Sequence, residues 1–353
     1  MGLNRQYPTP MMRSFLFWTA SLALTAFAAE PADSLRVLDP LERAVYQRDP
    51  TGRARILTAA SINRADVEIR VLDRKDRRVA RDWTKAGEAV DLPAGWYDFE
   101  FRARRDGAVI AQTTVERVGV GEVFITCGQS NSANHGKPAQ QATDERVAAF
   151  DLAAGRWQPC KDPQPGAAGA GGSPWPLLGD LLAQRYDVPV GFISVGVGST
   201  AVAYWALGGK GYSRLQTALV AAQKRFKARA VLWHQGESDS IAGTSADRYA
   251  QLLGGLIEQS RTDAKLSLPW GIARASFHPS PVATPARQAA IIAGQNKVIA
   301  TIPDAFAGPE TDTYHTQGWL CDSVHFNQQG LAAHARGWAT ALAPLIEGKK
   351  PAK

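Results

Sequence analysis

The chain has 353 residues and a net charge of +7, from 40 Lys and Arg against 33 Asp and Glu. Its hydrophobic content of 45% and charged content of 21% are those of a globular protein, which excludes a disordered or fibrous chain. The basic residues are dispersed, with Arg102, Arg104 and Arg105 as the densest group, so no nucleic-acid partner is expected.

Residues 14–28 are an apolar core preceded by Arg13 and closed by Ala26-Phe27-Ala28, a small-x-small cleavage pattern. Residues 1–28 therefore read as a secretory signal peptide, too short for a comfortable membrane span. The residues before Met11 are polar and hold two prolines, so Met11 or Met12 is read as the start. An exported protein, periplasmic or secreted, without stable membrane insertion, is expected. The three cysteines, Cys127, Cys160 and Cys321, match no zinc spacing. Cys127 reads as a packed thiol, and Cys160 and Cys321 are the loop pair left open for a bridge.

Residues 34–118 read as all-β. Val67, Ile69 and Val71 alternate with polar residues, as do Tyr97, Phe99, Phe101 and Ala103, which marks strands with one buried face. Asp106-Gly107 is a hairpin signal before the next strand, over 109–115. A small antiparallel β-sandwich accessory domain is predicted. Trp96 could stack on a sugar, but a tryptophan in a strand reads first as core.

Residues 119–347 alternate strands and helices, ahead of a polar tail at 348–353. Strands are predicted at 123–127, 188–195, 230–233 and 268–273, with a short one at 305–307. Helices are predicted to open at Ser173-Pro174, Ser213, Ser245 and Thr284-Pro285, and a last one after Asn327. Such alternation implies an α/β fold, a parallel sheet with helices on both faces.

Three of these strands end in polar, glycine-bearing sequences: Gly128-Gln129-Ser130-Asn131, Gly196-Val197-Gly198-Ser199-Thr200 and His234-Gln235-Gly236-Glu237-Ser238-Asp239. In a parallel sheet these ends share one rim. Asp322-Ser323-Val324-His325 precedes the last helix. Ser130 is the candidate nucleophile. It needs a base, a role that suits a histidine such as His325, while Asp322, three residues away, can fix its tautomer. The backbone N–H groups of Ser130 and Gly198 and the side-chain amide of Gln235 are candidate oxyanion donors. Asn131, Trp205 and Glu237 are expected to bind substrate. Trp175, Tyr204 and Tyr212 are read as sugar-stacking or as core. Glu237 and Asp239, two apart, also read as holding loops through hydrogen bonds. Ser238 is the rival nucleophile. The scattered histidines, with His334 read as a surface residue, give no metal set, and no cofactor is expected.

The four blocks together resemble the SGNH (GDSL-like) hydrolases, and most nearly the sialate O-acetylesterase and acetylxylan esterase-like carbohydrate esterases. That resemblance implies a three-layer α/β/α hydrolase domain behind a β-sandwich. It makes Ser130 the nucleophile, His325 the base and Asp322 its partner, with Ser130, Gly198 and Gln235 as the oxyanion hole. Ser132 stands where esterases of this branch often carry methionine. The implied reaction is cofactor-free deacetylation of a carbohydrate. The alternatives are an SGNH lipase or thioesterase acting on longer acyl chains and a non-catalytic sugar-binding protein.

Overall fold

The structure, a computed structural model, describes residues 34–353, so the expected leader lies outside the described residues. The first part of the chain forms β1 (Arg36–Asp39), β2 (Val45–Gln47), β3 (Arg53–Leu57), β4 (Ala59–Ser61), β5 (Asp66–Asp73), β6 (Val79–Lys85), β7 (Ala89–Pro93) and β8 (Gly95–Arg105). β1 pairs with β4 and β3 with β7 as antiparallel ribbons. β6, β5 and β8 lie side by side in an antiparallel array, with Ile69 opposite Phe101 and Val71 opposite Phe99. All four side chains are buried, as the alternation requires. Asp106 and Gly107 take left-handed φ values of 49° and 83°, the geometry of a tight hairpin turn.

The strand after that turn corrects the expected domain break. β9 runs unbroken from Ala108 to Gly128, so the boundary placed at 118/119 falls inside it. Its first half pairs with β8, and its second half is the centre of the parallel sheet. A separate amino-terminal sandwich is not confirmed: through β9 these strands run on into the mixed sheet, and Ile69, Phe99, Ile125 and Trp233 belong to one core. Gly119 and Gly121, which look like punctuation, are close-approach residues. A Cβ on Gly121 would lie 1.9 Å from the Pro189 carbonyl oxygen.

The chain continues through β10 (Val147–Asp151), β11 (Arg156–Pro159), α1 (Trp175–Tyr186), β12 (Val190–Ser194), α2 (Val202–Trp205) and α3 (Tyr212–Ala221). β13 (Ala230–His234), α4 (Glu237–Ala242), α5 (Ala246–Ala264) and β14 (Trp270–Arg274) follow. α6 (Pro285–Thr301), β15 (Ala305–Glu310) and α7 (Gln328–Ile346) complete it. The sheet order is β11-β10-β12-β9-β13-β14-β15, parallel except for the edge strand β11. β10 and β11 were not expected from the sequence. Phe124 and Leu232 point to one face, against α1 and α7 through Leu178, Leu182 and Trp338. Ile125, Val231 and Trp233 point to the other, against α3, α5 and α6. Ser245, Thr284 and Asn327 cap their helices through their side chains. Ser173 does not: its hydroxyl donates to Asp162, and Pro174 precedes α1. All three cysteines are free, so Cys160 and Cys321 form no bridge.

Where β9 passes from one half of the sheet to the other, it carries Glu122, whose side chain is fully buried. The carboxylate accepts from Arg48 Nε at 2.7 Å, Arg229 Nε at 2.7 Å and Gln47 Nε2 at 3.0 Å. Gln47 Oε1 in turn accepts the Val123 N–H. Removing one member of a buried ion pair leaves its partners charged and poorly solvated. Glu122→Ala is therefore expected to cost about 3–5 kcal/mol of stability. Urea unfolding would measure it, and a loss below about 1 kcal/mol would show that the two guanidiniums re-solvate freely.

Candidate active site

Because the chain leaves β9 for β12 on one side and returns to β13 on the other, a crevice opens at the carboxyl end of β9. Gly128 ends the strand with φ +130°, and a Cβ there would lie 2.0 Å from the His234 carbonyl oxygen. The strand ends are thus pinched together, and Gln129 N–H donates to His234 O at 2.9 Å. Ser130–Ser132 then form a single 3-10 turn. Ser132 Oγ closes it by donating to Cys127 O, and Trp175 Nε1 holds it by donating to Ser132 O.

Asp322 Oδ1 accepts the backbone N–H groups of Val324 and His325, each at 2.7 Å, which folds the segment into a tight loop. Asp322 Oδ2 lies 2.8 Å from His325 Nδ1. Partial burial alone would raise the carboxyl pKa. The His325 amide and ring and the Val324 amide outweigh it and hold the group below the usual carboxylate range. An ionised Asp322 fixes the proton on Nδ1 and leaves Nε2 as the acceptor. Ser130 and His325 line one cavity of about 370 Å³, with Gln129, Ser199, Ala201, Ser238, Ile241, His278 and Val324.

Several expected site residues face inward instead. Gln235 is fully buried; its amide nitrogen donates to Thr200 O at 3.0 Å and Asp239 Oδ2 at 2.6 Å and lies 3.2 Å from Gln129 Oε1. Its two hydrogens are taken, so it is not a free oxyanion donor. Gln129 has the opposite arrangement. Its Oε1 accepts from Gly236 N and Ser238 N, which fixes the amide orientation and leaves Nε2 as the uncommitted end.

Trp205 is fully buried and donates to Thr200 Oγ1, so it pins a loop rather than stacking on a sugar. Trp175 is core as well, and Tyr212 is buried. Asn131 is buried, and its amide donates to Glu237 Oε1 at 2.9 Å and to Val324 O at 3.3 Å. Asn131 and Glu237 therefore join the nucleophile turn to the histidine loop instead of binding substrate. Asp239 holds loops, accepting from Val202 N and Thr244 Oγ1. Gly198 sits one residue before the cavity-lining Ser199. His278 went unnoticed as a site residue, although its place just past the carboxyl end of β14 was a usable signal. Among the described residues no group of three or more His, Cys, Asp or Glu could hold a metal, and no helix is long and apolar enough to cross a membrane.

Residues 120–343, which contain every residue of this site, match the family model of the carbohydrate esterases described as sialic acid-specific acetylesterase. The chain belongs to that family. It is thus a carboxylic ester hydrolase, and the family implies an acetylated carbohydrate substrate. A carbohydrate acetylesterase from Xanthomonas citri superposes with a TM-score of 0.55 at 19% identity, over 88% of this chain and 74% of that one. An Arabidopsis thaliana protein superposes with a TM-score of 0.52 at 19% identity, over 63% of this chain and 97% of its own. These likenesses support the SGNH-type hydrolase fold. No curated protein sequence matches the chain significantly.

Behind the esterase site lies a buried histidine pair. His334, expected on the surface, is fully buried on α7. Trp338 Nε1 donates to His334 Nε2 at 2.9 Å, so that nitrogen carries no proton. His234 Nδ1, 3.1 Å from the same nitrogen, is then an N–H donor, and His234 Nε2 faces Glu237 Oε1 at 3.3 Å. Burial would raise the Glu237 pKa, but His234 and Asn131 hold it below the usual range. Burial, and then His234, push the His334 pKa well below the ordinary imidazole value. The unfolded chain therefore binds a proton at His334 that the folded chain refuses. This contribution to stability is intact above about pH 6.5 and is lost as pH falls below it, by up to about 1.4 kcal/mol per unit. Urea midpoints at pH 7 and pH 5 should diverge more in the wild type than in His334→Gln. Equal losses would remove His334 as the source.

Proposed function

We propose that the protein is an exported esterase that removes O-acetyl groups from a carbohydrate, a sialic acid or an acetylated polysaccharide, through an acetyl-Ser130 intermediate. The observation that carries this reading is the Asp322–His325 bond of 2.8 Å at the rim of the cavity that Ser130 also lines. His325 Nε2 takes the Ser130 proton as Oγ attacks the acetyl carbon. The bond from that carbon to the sugar oxygen breaks as the imidazolium returns the proton to the leaving alcohol. Water then gives a proton to His325 and attacks the acetyl carbon; acetate departs and Ser130 recovers its proton. Asp322 holds the imidazole tautomer throughout.

The developing oxyanion is met by the backbone N–H groups of Ser130 and Gly198. The third donor is Gln129 Nε2, in place of Gln235, whose hydrogens are committed elsewhere. These steps use neither metal nor cofactor. Ala201, Ile241 and Val324 leave a compact apolar wall beside the nucleophile, which suits a small acyl group. The leader read from residues 1–28 supports export.

The test is kcat/KM on aryl acetate, butyrate and octanoate esters, for the wild type and Ser130→Ala. Acetate should be preferred, and Ser130→Ala should lose roughly 10⁴–10⁶-fold. Retained activity in that variant would move the nucleophile to Ser238, and a preference for octanoate would make this a long-chain acyl hydrolase. Gln129→Ala should lower kcat by about 10²-fold with little change in KM. An unaffected kcat would remove Gln129 from the oxyanion hole.

A further inference from the structure

His135 belongs to none of the roles above, yet its ring lies against His325. The two imidazoles stack with centroids 5.2 Å apart and planes inclined by 24°. The Nε2–Cε1 edge of the ring meets Gly198, where a Cβ would lie 2.8 Å from His135 Nε2 and 3.0 Å from its Cε1. His135 thus touches both the loop after β12 and the histidine loop.

The backbone holds it there. Asn134, buried, donates from its amide to Gln164 O and Ala167 O and accepts the Gln164 N–H at 2.6 Å. Gly136 and Gly172 exchange backbone hydrogen bonds at 2.9 and 2.6 Å. Lys137 N–H donates to Phe326 O at 2.9 Å, which laces the segment carrying His135 to the residue that follows His325. The ring itself gains no such bond at Nε2, which is buried without a hydrogen-bond partner. A buried polar nitrogen left unmet costs stability, a cost that a phenyl ring would avoid.

We propose that His135 is a positioning residue for the base: its ring covers one face of His325 and, braced by Gly198, fixes the imidazole between Asp322 and Ser130. This rests on the serine esterase reading of the same site. The titratable groups facing His325 are Asp322 on its own loop, His135 from the turn after β9 and His278 from the loop after β14. Burial, and then His325, push the His135 pKa below the ordinary value, which favours the neutral ring. A neutral ring excludes water from one face of the base without repelling the imidazolium that forms during acylation.

The experiment compares the pH profile of kcat/KM, with kcat and KM, in wild type, His135→Ala and His135→Phe. His135→Ala opens that face to water, so kcat should fall about 10-fold at nearly constant KM. Its acid limb should move up by roughly half a unit or more, because the hydrated imidazolium is favoured. His135→Phe should restore most of kcat and the wild-type limb, and unfold no earlier than the wild type. A His135→Ala enzyme with wild-type kcat and limb would overturn the proposal. So would a His135→Phe enzyme as impaired as His135→Ala, since that would assign the work to a ring nitrogen. His325→Ala, measured beside them, separates the two readings: surviving activity would remove the base assignment itself, whereas an inactive His325→Ala with an unaltered His135→Ala would remove only the positioning role.

Discussion

A buried carboxylate in the middle of a strand is costly unless its charge is answered, and Glu122 is answered three times, by Arg48, Arg229 and Gln47. The partners come from two directions: Gln47 and Arg48 from the segment around β2, Arg229 from the entry to β13. Their convergence holds β9 straight through the point where its neighbours change from β2 and β8 to β12 and β13. Ser130, the proposed nucleophile, follows the far end of the same strand. Its position above the sheet therefore depends on a charge cluster at the other end of the parallel half of β9.

At the rim, the order comes from amides as much as from charges. Gln129 accepts two backbone donors from the segment after β13, and Gln235 spends its hydrogens on the loop after β12 and on α4. Asn131 spans from Glu237 to the carbonyl beside His325. The strand ends are thus cross-tied before any ligand arrives, and this is the condition under which fixed dipoles lower a barrier without reorganising. The His234–His334–Trp338 chain extends the same rigidity into α7.

The parts legible in the sequence are those set by local pattern. Ser130, Asp322 and His325 stand at strand ends and before a helix, where spacing alone brings them to one rim. The caps at Ser245, Thr284 and Asn327 are equally local. What failed depended on distant partners. Gln129 and Gln235 are chemically alike, and only the folded contacts decide which amide is spent: Thr200 and Asp239 take the hydrogens of Gln235, while Gln129 Oε1 is met from more than a hundred residues away. Trp205 looked like a sugar platform because nothing local reveals that Trp233 packs against it. Gly119 and Gly121 looked like a break because Pro189, which crowds them, lies far along the chain. His334 was legible but misread: with Leu331, Ala335 and Trp338 it completes an i, i+3, i+4, i+7 stripe, the mark of a buried face.

The shared strand also bears on how such a protein can be inherited. A module that recombines freely needs a junction where few contacts cross. Residues 108–128 offer none, since a crossover there would divide a strand whose amides pair with one half of the sheet on one side and the other half beyond. The amino-terminal sheet and the hydrolase layers are in this sense one heritable unit.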